Sequence, residues 1–121
     1  MTTAVVVLST AGSRAEAERI ATTLVEERLA ACVNLVAPLT SIYRWQGKVE
    51  RASEVLLVIK SRRTLTTRLI ARLRELHSYD VPEAIVLPIT AGARPYLSWL
   101  LAETAPPPQT KRSPIKRKAA P

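Results

Sequence analysis

A long β-hairpin with a two-residue turn constrains the fold of this chain more than any other feature. Residues 41–50 read Ser-Ile-Tyr-Arg-Trp-Gln-Gly-Lys-Val-Glu, so strong strand formers precede a Gln46-Gly47 pair. Glycine adopts positive φ at little cost, and the pair therefore predicts a tight reversal. Tyr43 and Trp45 would project from the end of this ribbon, where a small domain cannot fold back to cover them. We expect a hairpin arm that another subunit receives.

The other segments alternate between strand and helix patterns. Ser13 and Glu16 have the spacing of a helix capping box, and Pro38 indicates an edge strand or a bulge. The apolar stripe of the first helix consists of Ala17, Ile20, Ala21, Leu24, Val25 and Leu29. The predicted strands are residues 4–8, 32–45, 48–60 and 83–89, and the predicted helices begin near Ser13, Thr64 and Pro95. This order predicts an α+β fold, a ferredoxin-like split βαβ sandwich with a C-terminal helix, whose first and third strands are central.

The strands are apolar on both faces. Residues 5–8, 55–59 and 84–87 do not alternate between apolar and polar side chains, as strands with one solvated face do. Two helices cover only one face of a four-stranded sheet. We expect the final helix to shield part of the second face and neighbouring subunits to cover the rest.

Composition divides the chain into residues 1–103, one folded domain, and residues 104–121, a disordered Pro-rich basic tail. Five of the 18 Lys and Arg residues and five of the nine prolines follow residue 104, which leaves 13 cations against 10 acids in the body. Such a tail attracts polyanions nonspecifically or serves as a solubilising extension. Nucleic acid is otherwise not an expected partner, because the central strands lack the aromatics of RNA-binding ferredoxin-like domains.

Several other functional classes are also excluded by the sequence. Gly12, Gly47 and Gly92 are the only glycines, so neither a P-loop nor a dinucleotide fingerprint can be formed. The apolar runs are too short to span a bilayer, and we expect no membrane partner. Cys32 is the only cysteine and no signal peptide is evident, which favours the cytoplasm.

Several segments in a fixed order carry a family resemblance: residues 29–34, 41–50, 54–60, 76–83, 88–89 and 96–100. Over about residues 4–101 the chain resembles the CutA family of divalent-cation tolerance proteins. The resemblance implies a homotrimer built through extended β-arms, like the PII nitrogen-signalling proteins. It also implies a non-enzymatic role in tolerance of copper and other divalent metal ions.

The same resemblance indicates where copper ligands would lie. In family members with proposed ligands, a Cys ends the first strand and paired His residues end the second helix. The matching positions are Ser9 and Leu76-His77, of which only His77 is a good ligand, so we expect at most weak Cu²⁺ binding. Alternatively, His77 is hydrogen-bonded to carbonyls at the helix end. Asp80 and Glu83 could hold a divalent cation weakly through oxygen ligands.

A polar and aromatic set predicts an intersubunit cleft; alternatively, Tyr43 and Trp45 are interface anchors. Its members are Tyr43, Trp45, Lys48, Glu50, Lys60, Tyr79, Asp80 and Glu83. A PII-like regulatory module binding a small anionic ligand in this cleft is the alternative function. Cys32 is either a small buried hydrophobe or a possible reactive thiol, and a Cys32–His77 pair would be required for a hydrolase.

Overall fold

The computed structural model describes residues 2–105, which form one four-stranded antiparallel sheet with three helices. The elements are β1 (Ala4–Ala11), α1 (Arg14–Glu26), β2 (Cys32–Trp45), β3 (Lys48–Arg62), a 3-10 turn (Arg63–Leu65), α2 (Thr66–Leu76), β4 (Ile85–Pro88) and α3 (Arg94–Glu103). The strand order is β2-β3-β1-β4. The predicted split βαβ topology is confirmed, with β1 and β3 in the centre.

The β2–β3 hairpin has the predicted bounds at its tip and the predicted turn. Trp45 pairs with Lys48, and the two residues between them have positive φ, 49° at Gln46 and 81° at Gly47. Such values belong to the two-residue turn that matches the twist of a hairpin. The pairing shifts register between Val36 and Leu39. The interpretation of Pro38 as a bulge on an edge strand is therefore confirmed.

Helix α1 begins at the predicted cap but uses only half of the predicted capping box. The Ser13 hydroxyl accepts a hydrogen bond from the Glu16 amide at 3.1 Å. The Glu16 carboxylate accepts from the Ser78 amide at 2.7 Å and not from the Ser13 amide. Val25, expected in the apolar stripe, is 40% exposed. Leu29 is buried, but it lies beyond the end of α1 at Glu26.

Several other boundaries differ from the expectations, since β1 continues to Ala11 and β3 to Arg62. Helix α2 starts at Thr66, because residues 63–65 form a 3-10 turn where the sequence predicted α-helix from Thr64. Strand β4 covers only Ile85–Pro88 of the expected residues 83–89. Thr104, the first residue after the predicted boundary at residue 103, is buried and donates to the Leu100 carbonyl at 3.0 Å. Residues 106–121 of the predicted tail lie outside the described residues.

The main core lies between one face of the sheet and the helices α1 and α2. Alternate residues of the central strands point into it, including Val7 and Leu57, which are fully buried. The helices contribute the residues Ala17, Ile20, Leu24, Leu69 and Leu73. The i, i+3, i+4 spacing of these side chains puts each set on one helix face, which is why the amphipathic pattern predicted both helices correctly.

The second face of the sheet is covered only in part. Helix α3 covers one end of this face through Leu100, which packs with Ala4 and Ala31. The rest of this face, which we call the open face, carries apolar side chains that alternate with those of the core. It comprises Val6, Leu8, Val36, Leu56, Val58, Ile85 and Leu87. Its edges are well exposed, 50% at Val36 and 44% at Leu87.

No helix within residues 2–105 combines the length and the apolar character that crossing a bilayer requires.

Candidate functional site

A cavity of about 370 Å³ lies where the hairpin meets the loop between α2 and β4. It is lined by Thr10, Tyr43, Trp45, Glu54, Tyr79, Asp80, Val81 and Glu83. Tyr43, Trp45 and Glu54 reach it from one side of the hairpin, because their paired positions share a face of the ribbon. Of the predicted cleft residues, Tyr43, Trp45, Tyr79, Asp80 and Glu83 are brought together here.

Three of the predicted cleft residues do not line this cavity. Lys48 pairs with Trp45 at the tip of the hairpin and Glu50 pairs with Tyr43, but neither lines the cavity. The Lys60 ammonium is hydrogen-bonded to the Asn34 side chain on the second face of the sheet. Among residues 2–105, the cavity lining therefore carries three carboxylates and no basic side chain. This charge does not favour an anionic ligand, which would need cations from another subunit.

Glu54 is the most buried acid of the cavity, with 8% of its surface exposed. Its Oε2 accepts a hydrogen bond from the Tyr79 hydroxyl at 2.7 Å. Burial, and then this contact with Glu54, raise the pKa of Tyr79 well above its ordinary value. Burial, and then the negative charge of Glu54, also raise the pKa of Glu83. Glu54 and Glu83 are thus close enough for the charge of one to oppose ionisation of the other.

Glycine at position 12 leaves room for the hydrogen bond between Tyr79 and Glu54. A Cβ at Gly12 would lie 3.2 Å from the Tyr79 hydroxyl oxygen, so a side chain there would press on the ring that reaches Glu54. Sequence reasoning treated Gly12 only as part of a loop and missed Glu54 and Thr10. The one available signal for Glu54 was a carboxylate placed directly before the apolar centre of a strand.

His77 lies beside the cavity with both ring nitrogens hydrogen-bonded. Nε2 donates to the Thr10 carbonyl at 2.7 Å, and Nδ1 accepts from the Tyr79 amide at 3.1 Å. This arrangement assigns the proton to Nε2. The alternative prediction of a hydrogen-bonded histidine is confirmed, but its carbonyl partner belongs to the end of β1 and not to the end of a helix. A metal ion on His77 would have to replace one of these two bonds.

Glu16 connects α1 to the same region. Its Oε2 lies 3.6 Å from His77 Nδ1 and 2.7 Å from the Ser78 nitrogen. Burial alone would raise the pKa of Glu16, but hydrogen bonds from Ser78, the proximity of His77 and a bond from the Gly12 backbone outweigh it and lower the pKa. Sequence reasoning read Glu16 only as a capping residue and missed this role.

The remaining candidate ligands do not converge in one chain. Within residues 2–105 no group of three or more His, Cys, Asp and Glu side chains is arranged to hold a metal ion. Ser9 points into the core, where it is fully buried. Cys32, which is partly exposed, pairs with Lys60, and Lys60 pairs with Val6 of β1. His77 contacts Thr10, near the other end of β1. Thr10 lies four residues, or about 13 Å, from Val6 along the strand, so the structure does not bring Cys32 and His77 together.

Comparison with known proteins identifies the family. A family model described as "CutA1 divalent ion tolerance protein" matches residues 5–103. The chain belongs to the CutA1 divalent ion tolerance family. The CutA resemblance noted in the sequence is thereby confirmed.

Individual CutA relatives agree with this assignment. A divalent-cation tolerance protein CutA of Thermus thermophilus is 52% identical over 99 residues, covering 82% of this chain and 96% of the relative. A chloroplastic CutA of Arabidopsis thaliana is 46% identical over 83% of this chain, which spans 55% of that relative. A solved structure of the divalent cation tolerance protein from Thermus thermophilus superimposes with a TM-score of 0.83 at 51% identity, covering 84% of this chain and 99% of the other. The two Thermus thermophilus matches are named for tolerance of divalent cations and not for a catalysed reaction.

Proposed function

We propose that this protein acts in divalent-cation tolerance as a cytoplasmic homotrimer that binds divalent cations weakly and catalyses no reaction. The observation that supports cation binding is the pair of acids Glu54 and Glu83 in one cavity. Burial of Glu83 and repulsion from Glu54 make it unfavourable for Glu83 to ionise, as its raised pKa indicates. A bound divalent cation would relieve this repulsion.

The ligands fit a weak and not a tight site. Carboxylate oxygens suit hard divalent ions, and a site built from two or three acids leaves the remaining positions to water. Copper and zinc prefer imidazole and thiolate, of which this region offers only His77. Cu²⁺ binding at His77 remains a prediction of the family resemblance, and it would cost a hydrogen bond to Thr10 or Tyr79.

The open face supports the homotrimer. Covering these half-exposed apolar strands would stabilise the protein, because each square ångström of apolar surface removed from water contributes about 25 cal/mol of favourable free energy. Strand pairing with copies of itself would also protect the edges β2 and β4, which carry unpaired backbone groups. A closed ring of subunits satisfies both requirements.

Calorimetric titration of the assembled protein with Mn²⁺, Zn²⁺ and Cu²⁺ tests the cation site. Glu83→Gln is expected to weaken Mn²⁺ and Zn²⁺ binding by about tenfold, because one charged ligand is lost. The matched control is Glu26→Gln, which removes an exposed acid on α1 remote from the cavity. Equal isotherms for both variants would remove the carboxylate site from the proposal.

A second variant separates the carboxylates from His77. His77→Gln should abolish any Cu²⁺ binding that exceeds Zn²⁺ binding if the imidazole is a ligand, and should leave Mn²⁺ binding unchanged. A Cu²⁺ isotherm that does not change in His77→Gln would exclude the histidine.

A further inference from the structure

The cavity is larger than one hydrated metal ion requires. Water occupies about 30 Å³ per molecule, so an ion with about six waters fills roughly 180 Å³. The cavity measures about 370 Å³, which is within the range of pockets that hold small organic ligands. The remaining volume is bounded by the rings of Tyr43, Trp45 and Tyr79.

One oxygen of Glu54 is available to a ligand. Glu54 as a residue is more than nine-tenths buried, yet within residues 2–105 the one hydrogen bond of its carboxylate is that from the Tyr79 hydroxyl to Oε2. Oε1 accepts no bond from these residues, and it is not among their fully enclosed, unsatisfied atoms. Nor does any Lys, Arg or His of this part of the chain pair with Glu54. A buried carboxylate without a cation is costly, and a positively charged donor would satisfy it.

The aromatic rings favour the same charge. Ring faces attract cations that lie within about 6 Å of the ring centre, most strongly at tryptophan. Tyr43 and Trp45 are close to half exposed in the single chain, at 44% and 47%, so their faces are accessible to a ligand in the cavity. Acids and rings together, with no base in the part of the lining that residues 2–105 supply, select an organic cation over an anion.

We propose that this cavity binds a primary organic ammonium ion. Its N–H donors would reach Glu54 Oε1 and Glu83, and its hydrocarbon stem would lie against Tyr43 and Trp45. Primary ammonium is favoured over quaternary ammonium because the free acceptor on Glu54 needs a hydrogen-bond donor. The inference rests on the proposed cation site, since it uses the same carboxylates. It predicts that the amine and the divalent metal ion compete.

Titration of the metal-free assembled protein with n-butylammonium tests the proposal, with tetramethylammonium and butyrate as matched probes. We expect saturable binding of n-butylammonium, weaker binding of tetramethylammonium and none of butyrate. Glu54→Gln should weaken amine binding by about tenfold or more, because a charge-assisted bond is lost. Equal binding of n-butylammonium and butyrate, or no effect of Glu54→Gln, would overturn the proposal.

Trp45→Ala distinguishes this proposal from the metal site. It should weaken n-butylammonium binding while Mn²⁺ binding is retained, because the ring contacts only the organic stem. Trp99→Phe, on α3, is the control for the loss of an indole. Sedimentation of each variant confirms that assembly is unchanged.

If Mn²⁺ binds and n-butylammonium does not, the amine proposal fails and the proposed function stands. If the amine binds and the metal ions do not, the proposed function fails.

Discussion

Ser9 and Ser61 are two serines of the central strands, and both are fully buried. The Ser61 hydroxyl donates to the Leu29 carbonyl at 2.7 Å and so joins β3 to the segment after α1. The Ser9 hydroxyl has no hydrogen-bond partner within residues 2–105. The two serines are therefore equally buried, but among residues 2–105 only the Ser61 hydroxyl has a hydrogen-bond partner.

Alanine substitutions at these serines should have opposite effects on the free energy of unfolding. Ser61→Ala removes a buried bond and leaves the Leu29 carbonyl unsatisfied, which should cost about 1–3 kcal/mol. Ser9→Ala removes an unsatisfied hydroxyl and should be neutral or stabilising by about 1 kcal/mol. Urea denaturation at one fixed protomer concentration measures both. A loss for Ser9→Ala as large as that for Ser61→Ala would mean that Ser9 has a partner in solution.

Glu16 makes stability depend on pH. A carboxyl whose pKa is lowered on folding stabilises the protein above its ordinary pKa of 4.5, and this contribution is lost as pH falls through the folded value. Glu16→Gln should therefore be less stable than wild type at about pH 7, and the difference should shrink toward about pH 3. Glu18→Gln, an exposed acid of the same helix, is the control. Urea denaturation at both pH values checks the prediction, and a constant difference between the Glu16 variant and wild type would contradict it.

At the scale of elements, the hairpin depends on its two-residue turn. Among residues 2–105, no atom lies within 4 Å of the position that a Cβ at Gly47 would take, so any effect of adding one comes from the backbone conformation. At φ of 81° that conformation disfavours a side chain. Gln46 also has positive φ, which asparagine tolerates better than glutamine.

Substitutions in the turn should change hairpin stability in opposite directions. Gly47→Ala should destabilise the hairpin by about 1 kcal/mol, and Gln46→Asn should stabilise it by a few tenths of a kcal/mol. Hydrogen exchange of the amides near the tip, in residues 42–51, measures this directly. Unchanged protection in Gly47→Ala would show that contacts with another subunit, and not the turn, fix the hairpin.

At the scale of the whole molecule, the open face and the hairpin remain unsupported in a single chain. Helix α3 covers only the end of the face near Ala4, where its C-terminal carbonyls are held by Arg28 and Arg62. Apart from the hydrogen bond between Lys60 and Asn34, the rest of the face carries apolar side chains that no helix within residues 2–105 covers. This arrangement is the physical basis of the proposed trimer.

A charge on the open face should break the assembly without unfolding the subunit. Leu87 and Val25 are exposed to a similar degree, 44% and 40%, but Leu87 lies on the open face and Val25 on the outside of α1. Leu87→Glu should sediment as a smaller species than wild type, because burying a carboxylate in an apolar interface is costly. Val25→Glu should sediment like wild type. Identical sedimentation of the two variants would exclude this face from the interface.

The sequence by itself determined the order of the elements, the turn at Gln46-Gly47, the bulge at Pro38, the apolar second face and the family. These features depend on local backbone preferences and on periodicity, which neighbouring residues in the chain specify. It also selected Tyr43, Trp45, Tyr79, Asp80 and Glu83 for one cleft.

Only the tertiary structure decided the contacts that define the cavity. Tyr79 and Glu54 are separated by 25 residues, and His77 and Thr10 by 67. Local pattern cannot indicate which distant partner a polar side chain meets, because packing of α2 against the sheet sets that distance. Lys48, Glu50 and Lys60, which the sequence assigned to an intersubunit cleft, do not line this cavity of the single chain.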